Sequence, residues 1–299
     1  MMETINSTSS IVFPENDYFN VTDQIGQKLS RLTLGLPATN ILGTMDRNIR
    51  EIVYDSRKSG PDCLFVAVPG ENCDGGAFIK NSIDKGASAF ITETSLDSLS
   101  GFDLGSLDVT ALCVKDARRA LSTVSANFYH RPSERLSLTG ITGTNGKTTT
   151  AYILEAIFRA QGVRTGVVGT INYHYGDKEL SAPVTTPESL DLNQMLDEMI
   201  KDKIINCFLE VSSHALQQSR VHDMRFKAGI FTNLSRDHLD FHGDMESYKN
   251  AKKKLFLDNH VQWKVFNIDD PVGREFSREF KTGSFTTGIE SNSDFKAED

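Results

Sequence analysis

Short apolar runs separated by polar, glycine-containing breaks fill the first part of the chain. Cys63–Gly70 (CLFVAVPG) predicts a buried strand ended by Pro-Gly, and Ala87–Glu93 (ASAFITE) a second strand. Between them AFIKNSIDKGA carries apolar residues at helical spacing and a glycine stop at Gly86. Asp116–His130 (DARRALSTVSANFYH) opens on an aspartate able to cap a helix and reads as amphipathic up to Arg131-Pro132-Ser133, a domain joint. Beyond the joint the pattern changes to strand–loop–helix repeats. RLSLTGIT, VRTGVVGT, IINCFLEV and KAGIFTNL predict strands; TTTAYILEAIFRAQG, closed by Gly162, and SLDLNQMLDEMIKDK predict helices. Nearly continuous apolar strands alternating with helices predict a mainly parallel sheet covered on both faces. The expected fold is therefore α/β, with a polar, fraying tail over 1–22, a small mixed domain over 23–133 and a larger domain over 134–299.

Composition narrows the class. The 299 residues are 38% hydrophobic and 24% charged, as in an ordinary globular protein, and leave room for two cores. A formal net charge of -8 does not suit general nucleic-acid binding, which depends on basic groups meeting phosphates. It does not exclude anionic small ligands, for which a few local donors suffice. The four cysteines, Cys63, Cys73, Cys113 and Cys207, have no metal-clip spacing and read as free thiols of a reducing compartment. The start of the chain lacks a basic segment followed by an apolar one, and no apolar run approaches the roughly 18 residues that span a bilayer. A cytoplasmic location, without membrane insertion, is expected.

The candidate chemistry begins in LTGITGTNGKTTTAY, a glycine-rich turn between a predicted strand and helix. Gly143 and Gly146 let the loop Gly143, Thr144, Asn145, Gly146 turn its amides toward a phosphate, and the helix behind adds its positive end. Lys147 can reach terminal phosphates, and the Thr148 hydroxyl can ligate Mg²⁺, with Thr149 following. The usual spacing would place a glycine at position 141, where Ile141 stands; an ordinary glycine-containing loop is the plainer alternative. Glu210 ends the apolar strand IINCFLEV, where parallel strands present side chains to a ligand crevice, and is a natural Mg²⁺ ligand. His238 and His242 stand four apart beside Asp237 and Asp240, which makes zinc conceivable, but no Glu-x-x-His core accompanies them. One histidine near a Mg²⁺–phosphate site, with the other capping a turn, fits better. The run Lys252-Lys253-Lys254 reads as a solvated helix face, unless one lysine faces the pocket. A buried lysine near other cations would be a neutral amine able to react with CO₂ to an anionic carbamate.

Taken together the segments resemble the Mur ligases, closest to the branch that adds the third residue of the peptidoglycan stem peptide. The resemblance covers about 50 to 275 and rests on DSR (Asp55–Arg57), GENCDG (Gly70–Gly75), YHRPS, GITGTNGKTTT, TTPESLDL, EVSSHAL with QQSR, and FTNLSRDHLDFHGDMESYKNAKKKLF. The family writes its phosphate loop with the same departure at position 141. The resemblance implies that Ser56 and the turn Glu71, Asn72, Cys73 hold the UDP end of the substrate in the first domain. It implies ATP on Gly143–Thr149, with Asn267 nearby, and Mg²⁺ among Thr148, Glu210 and His238, with Lys252 at the place of a carbamylated lysine. Thr185, Thr186, Ser212, Gln218 and Arg220 would contact the muramoyl-dipeptide of UDP-MurNAc-L-Ala-D-Glu, and an amino acid would be the second substrate. The implied enzyme is an ATP-dependent ligase, a monomer, working through an acyl phosphate.

The family also has a third, Rossmann-like domain for the incoming amino acid, which does not follow residue 299. The expectation is that 276–299 leave the central sheet short of its final part, and that this chain alone ligates nothing measurable. A folylpolyglutamate- or cyanophycin-type ligase shares the central pattern, but DSR and GENCDG belong with a UDP-sugar domain. A non-catalytic nucleotide- or UDP-binding remnant is the remaining alternative, and a phosphate-loop switch or kinase is weakened by the spacing.

Overall fold

The structure is a computed structural model and describes residues 26–70, 74–99 and 108–297. The tail expected over 1–22 and the proposed contacts Glu71, Asn72 and Cys73 lie outside the described residues.

The first unit begins with β1 (Gln27–Lys28), α1 (Leu29–Leu32), β2 (Ala38–Leu42), β3 (Asn48–Ile49) and β4 (Glu51–Val53). It continues through β5 (Cys63–Val66), α2 (Ile79–Asp84), β6 (Ala89–Thr92), β7 (Thr110–Val114) and α3 (Ala117–Phe128). Its five-stranded sheet runs β2-β7-β6-β5-β4, parallel except for β2, while β1 and β3 pair separately. The runs CLFV and AFIT are buried along their whole length because helices and loops cover both faces. α3 starts where Asp116 accepts from the Arg119 amide, and packs its leucine, alanine and valine face on this sheet.

The second unit contains β8 (Ser137–Thr142), α4 (Lys147–Ala160), β9 (Thr165–Val168), β10 (Asn172–Tyr175), β11 (Lys178–Ser181) and α5 (Ser189–Lys201). Then follow β12 (Asn206–Glu210), α6 (Ser213–Gln217), β13 (Arg225–Phe231), α7 (Leu239–His242), α8 (Met245–Leu257) and β14 (His260–Asn267). α9 (Pro271–Glu279), β15 (Ser284–Gly288) and β16 (Phe295–Lys296) complete it. The strands form one nine-stranded sheet, ordered β11-β10-β9-β12-β8-β13-β14-β15-β16. It is parallel from β9 to β16 and antiparallel at β10 and β11, a hairpin turning on Gly176-Asp177 that the sequence reading did not assign.

Within residues 276–299, Ser284–Gly288 and Phe295–Lys296 add two parallel strands beyond β14 that the sequence reading did not assign. Their residues are only half-buried or exposed, so they lack the continuous apolar run that identifies a covered strand.

The two units meet through polar contacts around α3 and α5. Tyr54 donates to Asp191 at 2.7 Å, Ser122 to the His222 carbonyl at 2.5 Å, and Thr123 to Asp223 at 3.1 Å. β8 lies inside the sheet between β12 and β13, so the loop after it opens at a crevice flanked by two neighbouring strand ends.

Candidate functional site

The loop from Gly143 to Gly146 turns away from β8 by adopting positive φ at Gly143 (+150°) and Gly146 (+85°). At Gly143 a Cβ would stand 1.9 Å from Thr232 Oγ1, so the loop lies directly against the end of β13. Gly146 occupies the N-cap of α4 and makes no side-chain cap, which leaves the helix's first amides to a ligand.

The segment after β13 holds the loop in shape. Asn145 donates its amide to Asn233 Oδ1 at 3.0 Å and accepts from Thr232 Oγ1 at 2.7 Å through its carbonyl. Thr144 donates its amide to the Asn233 carbonyl at 2.9 Å, and its hydroxyl accepts from the Ser235 amide at 3.0 Å. These supports, Thr232, Asn233 and Ser235, were missed by sequence reasoning. They lie within the FTNLSR stretch, but only the pairing of β8 with β13 brings them to the loop.

Two lysines converge on one carbonyl. Lys147 Nζ donates to the Gly143 and Thr144 carbonyls, each at 2.9 Å, and Lys252 Nζ donates to the same Gly143 oxygen at 2.8 Å. Burial lowers the pKa of Lys147, against the pull of Glu210 and Asp237. Lys252 is 1% exposed, and burial together with the Lys147 charge pushes it down to about 7. The bland expectation of a solvated lysine face therefore fails at Lys252. Its ammonium sits 4.4 Å from the centre of the Tyr248 ring, whose hydroxyl is 3.2 Å from Thr144 Oγ1.

On the other side of Lys147, Glu210 is fully buried at the end of β12. Thr148 Oγ1 donates to Glu210 Oε2 at 2.8 Å. Two oxygens that ligate Mg²⁺ at about 2.1 Å and at right angles stand about 3 Å apart, so this pair already has the spacing of neighbouring ligands. A buried carboxylate and a hydroxyl are also hard oxygen donors, which suit that ion, and the pair fits it on both counts.

His238 is exposed and opens α7 in the left-handed region at φ 51°, beside Asp237. Its ring packs 5.0 Å from His214 and 6.1 Å from Tyr248, so Tyr248 is the neighbour it shares with Lys252. His242 Nε2 lies 2.9 Å from Ser213 Oγ, and burial plus the positive neighbours His214 and Lys252 bring it down to about 4. Among the described residues no three His, Cys, Asp or Glu side chains form a metal-holding group, so the zinc alternative finds no ligand set.

A second chain of bonds runs outward from Glu210. Thr186 Oγ1 donates to the Glu210 carbonyl at 2.8 Å and accepts from the Ser212 amide at 3.1 Å. Arg220 donates to the Thr186 carbonyl at 2.8 Å and to Gln218 Oε1 at 2.7 Å, while Nε stands 3.5 Å from Glu188. The structure thus brings Thr186, Ser212, Gln218 and Arg220 together, with Thr185 beside them. Arg118 of α3 reaches Glu188 at 3.5 Å and the Pro69 carbonyl at 2.7 Å, tying this group to the first unit's Gly70 loop. Asn267 ends β14 and donates to the Thr232 carbonyl at 2.9 Å, next to the loop's support. Ser56 stands apart, buried in a turn over Ser56–Lys58 that Asp55 caps and Lys85 braces through the Ser56 carbonyl at 2.9 Å.

A glycine-rich loop leading into a helix on a parallel sheet, with a buried acid on the adjacent strand and a second α/β unit tied to it, is the architecture of a phosphate-loop α/β protein. The chain belongs to the Mur ligase family: the model described as "Mur ligase middle domain" matches residues 141–299, and "Mur ligase family, catalytic domain" matches 48–129. Among curated relatives, a UDP-N-acetylmuramoyl-L-alanyl-D-glutamate--2,6-diaminopimelate ligase of Alkaliphilus metalliredigens is 43% identical over 85% of this chain and 50% of its own. The Clostridium perfringens protein of the same name is 41% identical over 90% of this chain and 55% of its own. A solved structure carrying that enzyme name superposes with TM-score 0.77 at 25% identity, over 92% of this chain and 55% of that one. A UDP-N-acetylmuramoylalanyl-D-glutamyl-2,6-diaminopimelate--D-alanyl-D-alanyl ligase from Acinetobacter baumannii shares the fold, with TM-score 0.57 at 18% identity over 91% and 56% of the two chains. The chain spans about half the length of the curated relatives it matches. Among the described residues no helix is long and apolar enough to cross a membrane.

Proposed function

We propose that this chain provides the UDP-substrate and ATP sites of an ATP-dependent amide ligase that extends UDP-MurNAc-L-Ala-D-Glu by one amino acid. Residues 23–133 are the UDP-substrate domain and 134–299 the ATP domain in this reading. The observation that carries it is the 2.8 Å bond from Thr148 in the phosphate loop to the buried Glu210 on the next strand. An acid so placed faces charge at the end of a polyphosphate rather than solvent.

The loop amides and Lys147 hold the triphosphate; Lys147 exchanges its bonds to Gly143 and Thr144 for phosphate oxygens. The substrate's D-Glu side-chain carboxylate attacks the γ-phosphorus, the bond to the β-phosphate oxygen breaks, and ADP leaves an acyl phosphate. The amine of the incoming amino acid then attacks the acyl carbon, phosphate departs, and the amine's surplus proton passes to solvent. Thr185, Thr186, Ser212, Gln218 and Arg220 orient the carboxylate-bearing substrate, and Asn267 borders the nucleotide. Ser56 and the Glu71–Cys73 turn hold the UDP end.

Thr148, Glu210, His238 and Lys252 would hold Mg²⁺, which supplies charge neutralisation at the transferring phosphate. Lys252 serves as its carbamate: burial brings this amine down to about 7, its neutral nitrogen bonds the carbon of CO₂, and the N–H proton released passes to solvent, leaving an anion. The relatives' names give 2,6-diaminopimelate as the amino acid, and the same class is proposed here.

The test is nucleotide binding by the 299-residue chain. Lys147→Ala removes charge-assisted contacts worth about 1.5–3 kcal/mol, so ATP affinity measured by calorimetry should fall roughly 10- to 150-fold. Unchanged affinity would refute the loop's assigned role.

A further inference from the structure

A carboxylate with no access to water needs donors on both oxygens. At Glu210 the phosphate loop supplies one, through Thr148. The other two come from a single residue that has no role above, Thr170, two positions past β9. Its backbone amide donates to Glu210 Oε1 at 3.0 Å, and its hydroxyl donates to Oε2 at 3.0 Å. The approach is close by construction: a Cβ on Gly169 would stand 2.1 Å from Oε1, so only a glycine lets the chain pass there.

Thr170 also faces outward. It is exposed, and its Oγ1 lies 3.2 Å from Thr185 Oγ1. A threonine hydroxyl has one proton to give. With that proton on Glu210, the bond between the two threonines runs from Thr185 to Thr170. Thr185 is left with lone pairs toward the crevice, an acceptor for an N–H or O–H of a ligand rather than a donor to a carboxylate.

We propose that Thr170 is a positioning residue, whose hydroxyl fixes the Glu210 carboxylate in the orientation that receives a divalent cation and links it to Thr185 on the substrate side. The proposal rests on the metal-site reading given under Proposed function. When a cation takes the facing lone pairs of Thr148 and Glu210, the bond between those two side chains is lost. The two Thr170 bonds then remain to aim the acid. Partners that hold a metal ligand in place typically change metal affinity 10- to 100-fold when removed.

The experiment titrates Mn²⁺ into the 299-residue chain with ADP present and follows free Mn²⁺ by electron paramagnetic resonance, with thermal unfolding recorded for each variant. Thr170→Val keeps the shape and the backbone amide but loses the hydroxyl, and should weaken Mn²⁺ binding about 10-fold. Thr170→Ser restores the hydroxyl and should return within about threefold of the parent. Wild-type affinity in T170V, or equal loss in T170V and T170S, overturns the proposal. Should T170V unfold, Thr170→Ala takes its place as the variant without the hydroxyl, and the same outcomes decide. Glu210→Gln separates the two readings. If E210Q loses Mn²⁺ while T170V keeps it, only the role of Thr170 fails; if E210Q binds Mn²⁺ as the parent does, or the parent shows no specific Mn²⁺ binding, the metal site fails and takes this role with it.

Discussion

Lys252 shows how much one side chain's surroundings decide. Its neighbours in the run, Lys253 and Lys254, pair at the surface with Glu279 and Gln217, whereas Lys252 is 1% exposed under the phosphate loop. A base with a folded pKa near 7 and an unfolded pKa near 10.5 binds fewer protons folded than unfolded between those values. Stability from this group therefore rises with pH across that window, by up to about 1.4 kcal/mol per pH unit. Buried Cys207, pushed up to about 12 from 9, acts in the opposite direction above pH 9, so the clean range is pH 7 to 9. In CO₂-free buffer, urea unfolding of the parent minus that of Lys252→Met should show this slope; a flat difference would contradict the burial. The lysine run alone did not single out Lys252, which was chosen through the family resemblance, although the spacing of its apolar neighbours could have done so. Tyr248, Ala251, Lys252, Leu255 and Phe256 make the buried stripe of α8 at helical spacing, and composition alone hides it. Thr170 was not legible, because its partners Glu210 and Thr185 are 40 and 15 residues away in sequence.

At the level of elements, strands with continuous apolar runs and helices with strong periodicity were readable: Cys63–Val66, Asn206–Glu210 and Ser189–Lys201 fall within the segments named from sequence, and Lys147–Ala160 begins one residue ahead of its segment. The hairpin of β10 and β11 was passed over although Gly176-Asp177 is a turn signal, since NYHY and KELS carry too little apolar alternation. The packing of α9 was beyond reach for a different reason. Gly273 lies in its first turn, and a Cβ there would stand 1.8 Å from the Asn267 carbonyl oxygen. Nothing in a local window reveals that a helix start touches the end of β14. Gly273→Ala should therefore cost about 2–3 kcal/mol in urea unfolding, despite alanine's better helix propensity, and should also weaken ATP binding by displacing Asn267. Stabilisation by the alanine would show that α9 and β14 do not approach so closely.

For the whole molecule, the α/β class and the change of pattern near Pro132 followed from local rules. The joining of the two units did not, because it rests on isolated contacts, polar ones such as Tyr54 with Asp191 and Arg118 with Glu188 beside the packing of Leu190 on the first core. Such contacts leave no periodic trace. Their positions matter, since Arg118 holds both the Pro69 carbonyl and the acid that pairs with Arg220.

The distribution of cysteines has a consequence for following this architecture in solution. Cys63 and Cys113 are buried in the first sheet, while Cys207 lies fully buried on β12, three positions before Glu210. A thiol reagent reaches each only when its own sheet opens. Peptide-resolved mass spectrometry after pulsed alkylation should then time the opening of each half separately, without introduced labels. Independent units will give Cys63 and Cys113 one shared rate and Cys207 another; a single rate for all three would mean that the halves open together.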